Sequence, residues 1–362
     1  MRADGGVGKW RGALVGVLLL LAGVALPVEA QARSAAAGER ACEVRDPRLT
    51  ELSGMVATDD GFVMINDGAD DEARRRIFFL DRTCAVVRAV PYPTRPLDTE
   101  DLAVGADGTV WVADVGDNDR SRETIAVWKL APGADRPVLH RMRYPDGPHD
   151  AEAMLVTGDG RPVVVTKFSA NLYAPTAALR PGATVPLAKV GQVKLPASTT
   201  SNPYGLLGRS AVTGAATARD GRRVVLRTYA DAFEFDVADG DVIAALTGGT
   251  PRATPLPDEP QGESVSYSSD GRSLLTVSET ADQPAGTRPT VLRYPLTAAA
   301  PFGSPARTPE PTGPTPIARS ADGTDGDITV VSRAAMAAGA LGVLLIAVAL
   351  VARARRRTTS GK

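Results

Sequence analysis

Through the middle of the chain, short apolar runs recur in pairs, with a turn signal between the members of each pair. An Asp-Gly dipeptide marks that turn at Asp60-Gly61, Asp107-Gly108, Asp159-Gly160, Asp220-Gly221 and Asp270-Gly271, in steps of 47, 52, 61 and 50 residues from glycine to glycine. The segments before the turns read SGMVATD, EDLAVGA, EAMLVTG, TGAATAR and ESVSYSS, and those after them FVMIN, TVWVAD, PVVVTK, RVVLRTY and SLLTVS. Strand, Asp-Gly, strand is a strong hairpin signature, because the dipeptide accepts the positive φ angles that tight turns require. A third strand follows in each unit (RIFFLD, IAVWKL, NLYAPT, FEFDV, TVLRYPL), and a fourth is visible in CAVVRAV and VLHRMRY.

Four strands recurring at this period describe the blades of an all-β propeller. The fifth unit lacks an outer strand of its own, and ACEVR near the start of the domain is unassigned. Pairing the two closes the ring and removes an exposed edge. The expectation is five four-stranded blades closed by an N-terminal strand, over residues 41–298. Six blades stay open, because the 61-residue step has room for extra strands.

The two ends read differently. Residues 1–32 combine a basic start (Arg2, Lys9, Arg11), an apolar run from Ala13 to Leu26 and small residues suited to cleavage, the three parts of a secretory signal. That run covers about 21 Å as a helix, short of a ~30 Å hydrocarbon core, so an uncleaved anchor is the lesser alternative. Residues 299–333 form a Pro/Thr-rich stalk carrying Pro301, Pro305, Pro309, Pro311, Pro314 and Pro316. Ala334 to Ala352 is uncharged and long enough to span a bilayer, and Arg353, Arg355, Arg356, Arg357 and Lys362 follow it in the tail, 353–362. Basic residues stay on the cytoplasmic side, which predicts a single-pass cell-membrane protein with its large domain outside.

Charge narrows the partners. Without leader and tail the chain has 33 basic and 40 acidic side chains, a balance that argues against nucleic acid and favours cations or basic ligands. Cys42 and Cys84 are the two cysteines. An even count in an exported domain predicts a disulfide, with metal ligation or a thiol nucleophile having less support.

Several segments carry a further likeness: RLTELSG at 48–54, EDLA at 100–103, ADVGDN at 113–118, YPDGPHDAEAM at 144–154, VVLRTYADA at 224–232 and DEPQGES at 258–264. As a set they resemble the exported propellers of high-GC Gram-positive bacteria described as esterase-like-phytase-type or WD-repeat-like. The resemblance implies the propeller, export and the disulfide, and leaves the activity open.

Candidate chemistry comes from aligning the units on the Asp-Gly glycine. Eight residues earlier the column reads Ser53, Glu100, Glu152, Thr213, Glu263, and two earlier still Glu51, Asp98, Asp150, Ala211, Gln261. Positions two apart share a strand face, so acids from several blades are expected around one mouth of the central channel. The returning strands bring Asn66, Asp67, Asp114, Asp117, Asn118, Lys167, Arg227, Tyr229 and Glu279 towards it, and His149 precedes Asp150 there. Three readings stand. Lys167 and Arg227 neutralise the acids as an ion-pair network. Alternatively Asp98, Glu100, Asp150, Glu152 and Glu263 hold a hard cation, calcium in class, with Asn66 and Asp67 completing its shell. Thirdly, such a metal supports hydrolysis. ADVGDND at 113–119 lacks EF-hand spacing and is equally an Asp/Asn-rich turn, and His149 reads equally as a turn residue after Pro148. No G-x-S-x-G, H-E-x-x-H or P-loop pattern occurs. The functional expectation is a cell-surface propeller binding an extracellular ligand or protein through its acidic channel face. The alternative is a metal-dependent hydrolase of lactonase or phosphoesterase type.

Overall fold

A run such as PVVVT at 162–166 is apolar at every position, a pattern that suits a strand covered on both faces. A computed structural model describes residues 37–296 and shows how that cover arises. β1 (Glu39–Glu43) is followed by β2 (Leu52–Ala57), β3 (Gly61–Asn66), β4 (Arg76–Asp81) and β5 (Val86–Pro91), the last four pairing in that order. The same antiparallel order repeats in β6 (Thr99–Val104), β7 (Val110–Asp114), β8 (Ile125–Leu130) and β9 (Val138–Arg143), and in β10 (Ala151–Val156), β11 (Pro162–Thr166), β12 (Asn171–Pro175) and β13 (Thr184–Gln192). A short helix α1 (Gly205–Gly208) precedes β14 (Val212–Thr217), β15 (Arg223–Thr228) and β16 (Asp231–Asp236), and α2 (Val242–Gly248) separates these from their outer strand β17 (Arg252–Pro255). β18 (Gln261–Tyr267), β19 (Ser273–Glu279) and β20 (Thr290–Pro295) complete the described chain.

The inner strands β2, β6, β10, β14 and β18 neighbour one another in that order, and β18 neighbours β2. This all-β, propeller-like ring leaves no single core. Apolar side chains gather between adjacent sheets instead, and successive residues of one strand serve different seams. Val163 and Val165 pack with Leu226 and Phe233 on one side, while Val164 packs with Val127 and Met142 on the other. Two connections depart from simple repetition. Outer strands β9 and β13 pair in parallel over three residues, fusing two sheets into one of eight strands and covering two edges. α2 begins at Asp241, whose side chain accepts the Ala244 amide, and buries Val242, Ala245 and Leu246. The surplus of the 61-residue step goes into the long β13, a loop and α1 rather than another sheet.

Closure is made by the first strand. β1 pairs antiparallel with β20, so the last sheet runs β18-β19-β20-β1. Across this seam Thr280 donates its amide to the Thr50 carbonyl at 2.8 Å, and Ala57 donates to Ser266 Oγ at 3.0 Å. Cys42 on β1 is disulfide-bonded to Cys84 in the β4–β5 turn, with Cα atoms 6.0 Å apart. The bridge therefore joins the last sheet to the first.

Each inner strand carries one extra residue relative to its partner, a β-bulge at Ser53, Glu100, Glu152, Thr213 and Glu263. The hydroxyl members of this column tie seams together: Ser53 Oγ donates to the Thr99 carbonyl and Thr213 Oγ1 to that of Gly262. One residue further from the mouth, Gly54 and Gly214 are small because the next inner strand passes against them. A Cβ on Gly54 would lie 2.9 Å from the Leu102 nitrogen, and one on Gly214 would meet the Glu263 carbonyl. The matching residue of the second unit is Asp101. Its carboxylate accepts amides from Leu102, Met154 and Ala215, pinning three inner strands at 2.8, 2.9 and 3.1 Å.

The expected leader, stalk, membrane-spanning helix and basic tail lie outside the described residues. Among the described residues no helix is long and apolar enough to cross a membrane. The seam bridge yields a prediction. Replacing both cysteines (Cys42→Ser with Cys84→Ser) should lower unfolding stability by about 2–4 kcal/mol, read from denaturant midpoints. Coincident curves for variant and wild type would mean that the pairing across the seam holds without it.

Candidate ligand site at the channel mouth

The bulges decide where the acids point. An extra residue in a strand bends it and re-aims a side chain without disturbing the pairing on either side. Glu100, Glu152 and Glu263 occupy bulges on three inner strands, are buried, and feel one another's charge. Their electrostatic neighbours extend to Asp67, Asp98, Asp150, Lys167, Tyr229 and Glu279, so the mouth gathers side chains from every sheet except the Ser53 and Thr213 positions.

Asp67, Asp98 and Glu100 form the tightest group, each offering one carboxylate oxygen within 4.8 Å of the others. They come from the ends of β3 and the start of β6, where the first two sheets meet. The β7 loop packs against them at Gly116, where a Cβ would collide with the Glu100 and Asp98 carboxylates. Burial, the Asp67 charge and a hydrogen bond that the protonated Asp98 donates to Asp67 push the Asp98 carboxyl up to about 8. Burial and the Glu152, Asp67 and Asp98 charges hold Glu100 well above the ordinary carboxylate range. Among the described residues no arginine or lysine forms an ion pair with any of the three.

Lys167 faces them from the end of β11. Burial disfavours its charge, but Glu152, Glu263 and Asp150 outweigh that and hold the ammonium well above its usual range. Its Nζ is ion-paired with Glu152. From the last two sheets Tyr229 donates its hydroxyl to Glu263 Oε1 at 3.0 Å, and Gln261 Nε2 donates to Glu263 Oε1 and to Glu279 Oε2 at 3.1 and 2.7 Å. Burial and the Glu263 charge raise Glu279 well above the carboxylate range. Tyr204, from the loop before β14, donates to Gln261 Oε1 and sets its ring 4.3 Å from that of Tyr229.

Other expected site residues do different work. Arg227 does not neutralise the mouth. It is 0 % exposed, its Nη1 pairs with Glu259 at 3.1 Å, and the same nitrogen donates to the Ser264 carbonyl. Glu259 also accepts from Thr276 and Tyr294, so this ion pair locks the seam between β15 and β18. Asn66 is spent on backbone, accepting from the Glu51 amide and donating to the Arg48 and Arg74 carbonyls, so its amide is not available to complete a cation shell. Asp114 is a structural acceptor for the Leu97 and Asp98 amides, Arg122 and Trp128. Asp117 closes its own loop by accepting the Ser121 and Arg122 amides, and Asn118 is exposed; ADVGDND is a turn scaffold that carries Gly116 to the acids. Asp150 accepts the Asp117 amide. His149 turns to Asp146 and the Tyr173 hydroxyl, each at 2.9 Å, rather than to Asp150 or Glu152. Among the described residues the mouth therefore holds one ammonium, Lys167, among Asp67, Asp98, Glu100, Asp150, Glu152, Glu263 and Glu279.

Sequence reasoning missed Asp101, Tyr204 and Glu259. Asp101 adjoins Glu100 and reads as the opposite strand face until the bulge is known. Tyr204 and Glu259 sit in irregular segments without periodicity.

No protein-family model matches the sequence, and a search of curated proteins finds no match. Among solved structures the chain is similar to a gluconolactonase from Xanthomonas campestris (15% identity, TM-score 0.39, covering 68% of this chain and 72% of that one). It is also similar to a luciferin-regenerating enzyme (11%, 0.41, 68% and 78%) and to the PQQ-bound aldose sugar dehydrogenase of Streptomyces coelicolor (13%, 0.38, 71% and 96%). At such identities and TM-scores these assign neither activity nor ligand.

The raised Asp98 carboxyl has a pH consequence. Folded Asp98 keeps a proton to about 8, whereas the unfolded carboxyl loses it near 3.8. The native state then binds more protons between those values, and stability falls as pH rises through them. In chelator, denaturant unfolding should show that decline, and Asp98→Asn should flatten it. An identical slope in the variant would place the proton elsewhere.

Proposed function

We propose that this chain is an exported, membrane-anchored, five-bladed propeller that binds a hard divalent cation, calcium in class, at Asp67, Asp98 and Glu100, and captures a ligand at the channel mouth. The observation that carries the cation is the convergence of three carboxylate oxygens within 4.8 Å with no ion-paired base among the described residues. Like charges this close repel unless protonated or bridged. A calcium-sized ion takes six to eight oxygen ligands, so three protein carboxylates leave positions for water and for oxygens of a ligand. Lys167, ion-paired with Glu152, offsets part of the remaining negative charge. The five blades are supported by the cyclic order of inner strands and by closure through β1. Export and anchoring are supported by the leader, stalk and apolar segment, and a disulfide suits an oxidising compartment.

A second reading has its own support. Burial and neighbouring carboxylates hold Glu100 and Glu279 well above the ordinary carboxylate range, the direction in which a general acid is tuned. With a cation polarising a bound carbonyl or phosphoryl oxygen, the mouth would hydrolyse lactones or phosphoesters. Turnover of a lactone and phosphoester panel, dependent on calcium and on Glu100, separates this from binding alone.

Calcium at a hundred times its dissociation constant should stabilise the folded chain by about 2.7 kcal/mol, seen as a higher melting temperature that chelator reverses. Asp98→Asn with Glu100→Gln should abolish the response. A wild type indifferent to calcium, beside a variant more stable in chelator, would show only relief of repulsion. For topology, protease added to intact cells should release the domain by cutting within 299–333, leaving residues 353–362 protected. A tail digested from outside would overturn the anchoring.

A further inference from the structure

Two carboxylates of the last sheet, Glu263 and Glu279, face Asp67 across the closing seam but lie outside the group it forms with Asp98 and Glu100. Glu263 is buried, with 4 % of its surface exposed. Its Oε1 accepts from Tyr229 and Gln261, while its Oε2 has no hydrogen-bond partner among the described residues although it is shielded from solvent. Glu279 lies beside it, joined through the same Gln261 amide. Among the described residues the single ammonium nearby, Lys167, makes its ion pair with Glu152. Two carboxyl groups thus share one amide donor, and one oxygen is left unsatisfied.

The covering of this corner is aromatic. Tyr204, 42 % exposed, and buried Tyr229 present rings whose centroids are 4.3 Å apart, and the Tyr204 hydroxyl reaches the same Gln261. Phe168, next to Lys167, is half exposed, and Leu206, two residues beyond Tyr204, is 80 % exposed. Aromatic faces attract cations through their quadrupole, and the attraction grows where water is excluded. A metal ion would gain little from such walls. An organic ammonium uses both features: its N–H groups donate to Glu263 and Glu279, and its hydrocarbon body covers the exposed Tyr204 ring.

We propose that Glu263, Glu279, Gln261, Tyr204 and Tyr229 form a subsite for the primary ammonium group of a small organic amine with an apolar-faced body. The proposal rests on the reading of the mouth as a ligand site and adds the charge of the ligand's second end. A ligand with an oxygen-rich group on the cation and an amine in this corner would bridge the seam between the first and last sheets.

The test uses the purified full chain and isothermal titration with benzylamine, with benzyl alcohol as the neutral analogue of the same shape. D-glucosamine and Nα-acetyl-lysine carry the same ammonium on a sugar and on an amino-acid side chain, and their relative affinities identify the body the subsite takes. Benzylamine should bind at least tenfold more tightly than benzyl alcohol. Glu263→Gln with Glu279→Gln should weaken benzylamine at least tenfold, and Tyr204→Ala, a change at an exposed ring that spares the core, about fivefold. Equal binding of alcohol and amine, absence of binding by all three amines, or affinity unchanged in both variants overturns the subsite. If the double variant also loses its calcium response while Tyr204→Ala binds amine normally, these acids belong to the cation centre and the proposal fails. Calcium titration of the wild type without amine reports on the cation separately, so an indifferent wild type that still binds benzylamine defeats only the metal reading.

Discussion

Closing the ring of sheets is the constraint on which everything at the mouth depends. The partners in that closure, β1 with β20 and β18 with β2, are separated by almost the whole domain, so the pairing must overcome the entropy of a very long loop. The chain meets it in three ways. The ladder between β1 and β20 supplies main-chain hydrogen bonds, apolar residues from Val44 to Val291 fill the seam, and the Cys42–Cys84 bridge restrains the unfolded chain. Functional geometry inherits this closure. Glu263 and Glu279 belong to the last sheet, and Asp67, which perturbs both, belongs to the first. If the seam opened, acids on its two sides would separate before any strand unfolded.

A second device keeps a costly site from disturbing the cores between the sheets. Burying carboxylates beside one another is expensive, and a regular strand would have to place them either among apolar side chains or in solvent. The bulges offer another direction. Glu100, Glu152 and Glu263 leave the ladder at the one residue that makes no regular pair, while their neighbours Leu102, Met154 and Val265 remain packed. The same position holds Ser53 and Thr213 where the sheets need a cross-seam hydrogen bond instead.

Much of the fold was legible because its signal is local. Each Asp-Gly turn sits between strands where expected, and even the donated first strand could be inferred from a missing one. β13 and β17 escaped notice, since exposed outer strands have weak alternation. For the site, the repeat columns brought Asp98 and Glu100 together with Asp67, but they could not tell a mouth residue from a seam residue. Arg227 shows why. It pairs with Gly214 beyond the bulge, two residues before Tyr229, which holds the register position of Lys167, and Glu259, in a segment with no periodic pattern, draws it into the seam. Asn66 and Asp114 likewise have the right position and the wrong partners, because hydrogen bonds to loop backbone leave no trace in strand spacing.

The odd number of strands that the end of the chain gives to the last sheet has a directional effect. β18 leaves the mouth, β19 returns to it, and β20 leaves again, so that Pro295 lies opposite Ser273 beside the Asp270-Gly271 turn. β1, antiparallel to β20, starts at that same end with Glu39 across from Arg293. Both termini of the described domain therefore emerge among the hairpin turns. A fourth strand supplied after β20 would have brought the backbone back to the carboxylates; borrowing it from β1 keeps the channel mouth free of the described domain's own entry and exit.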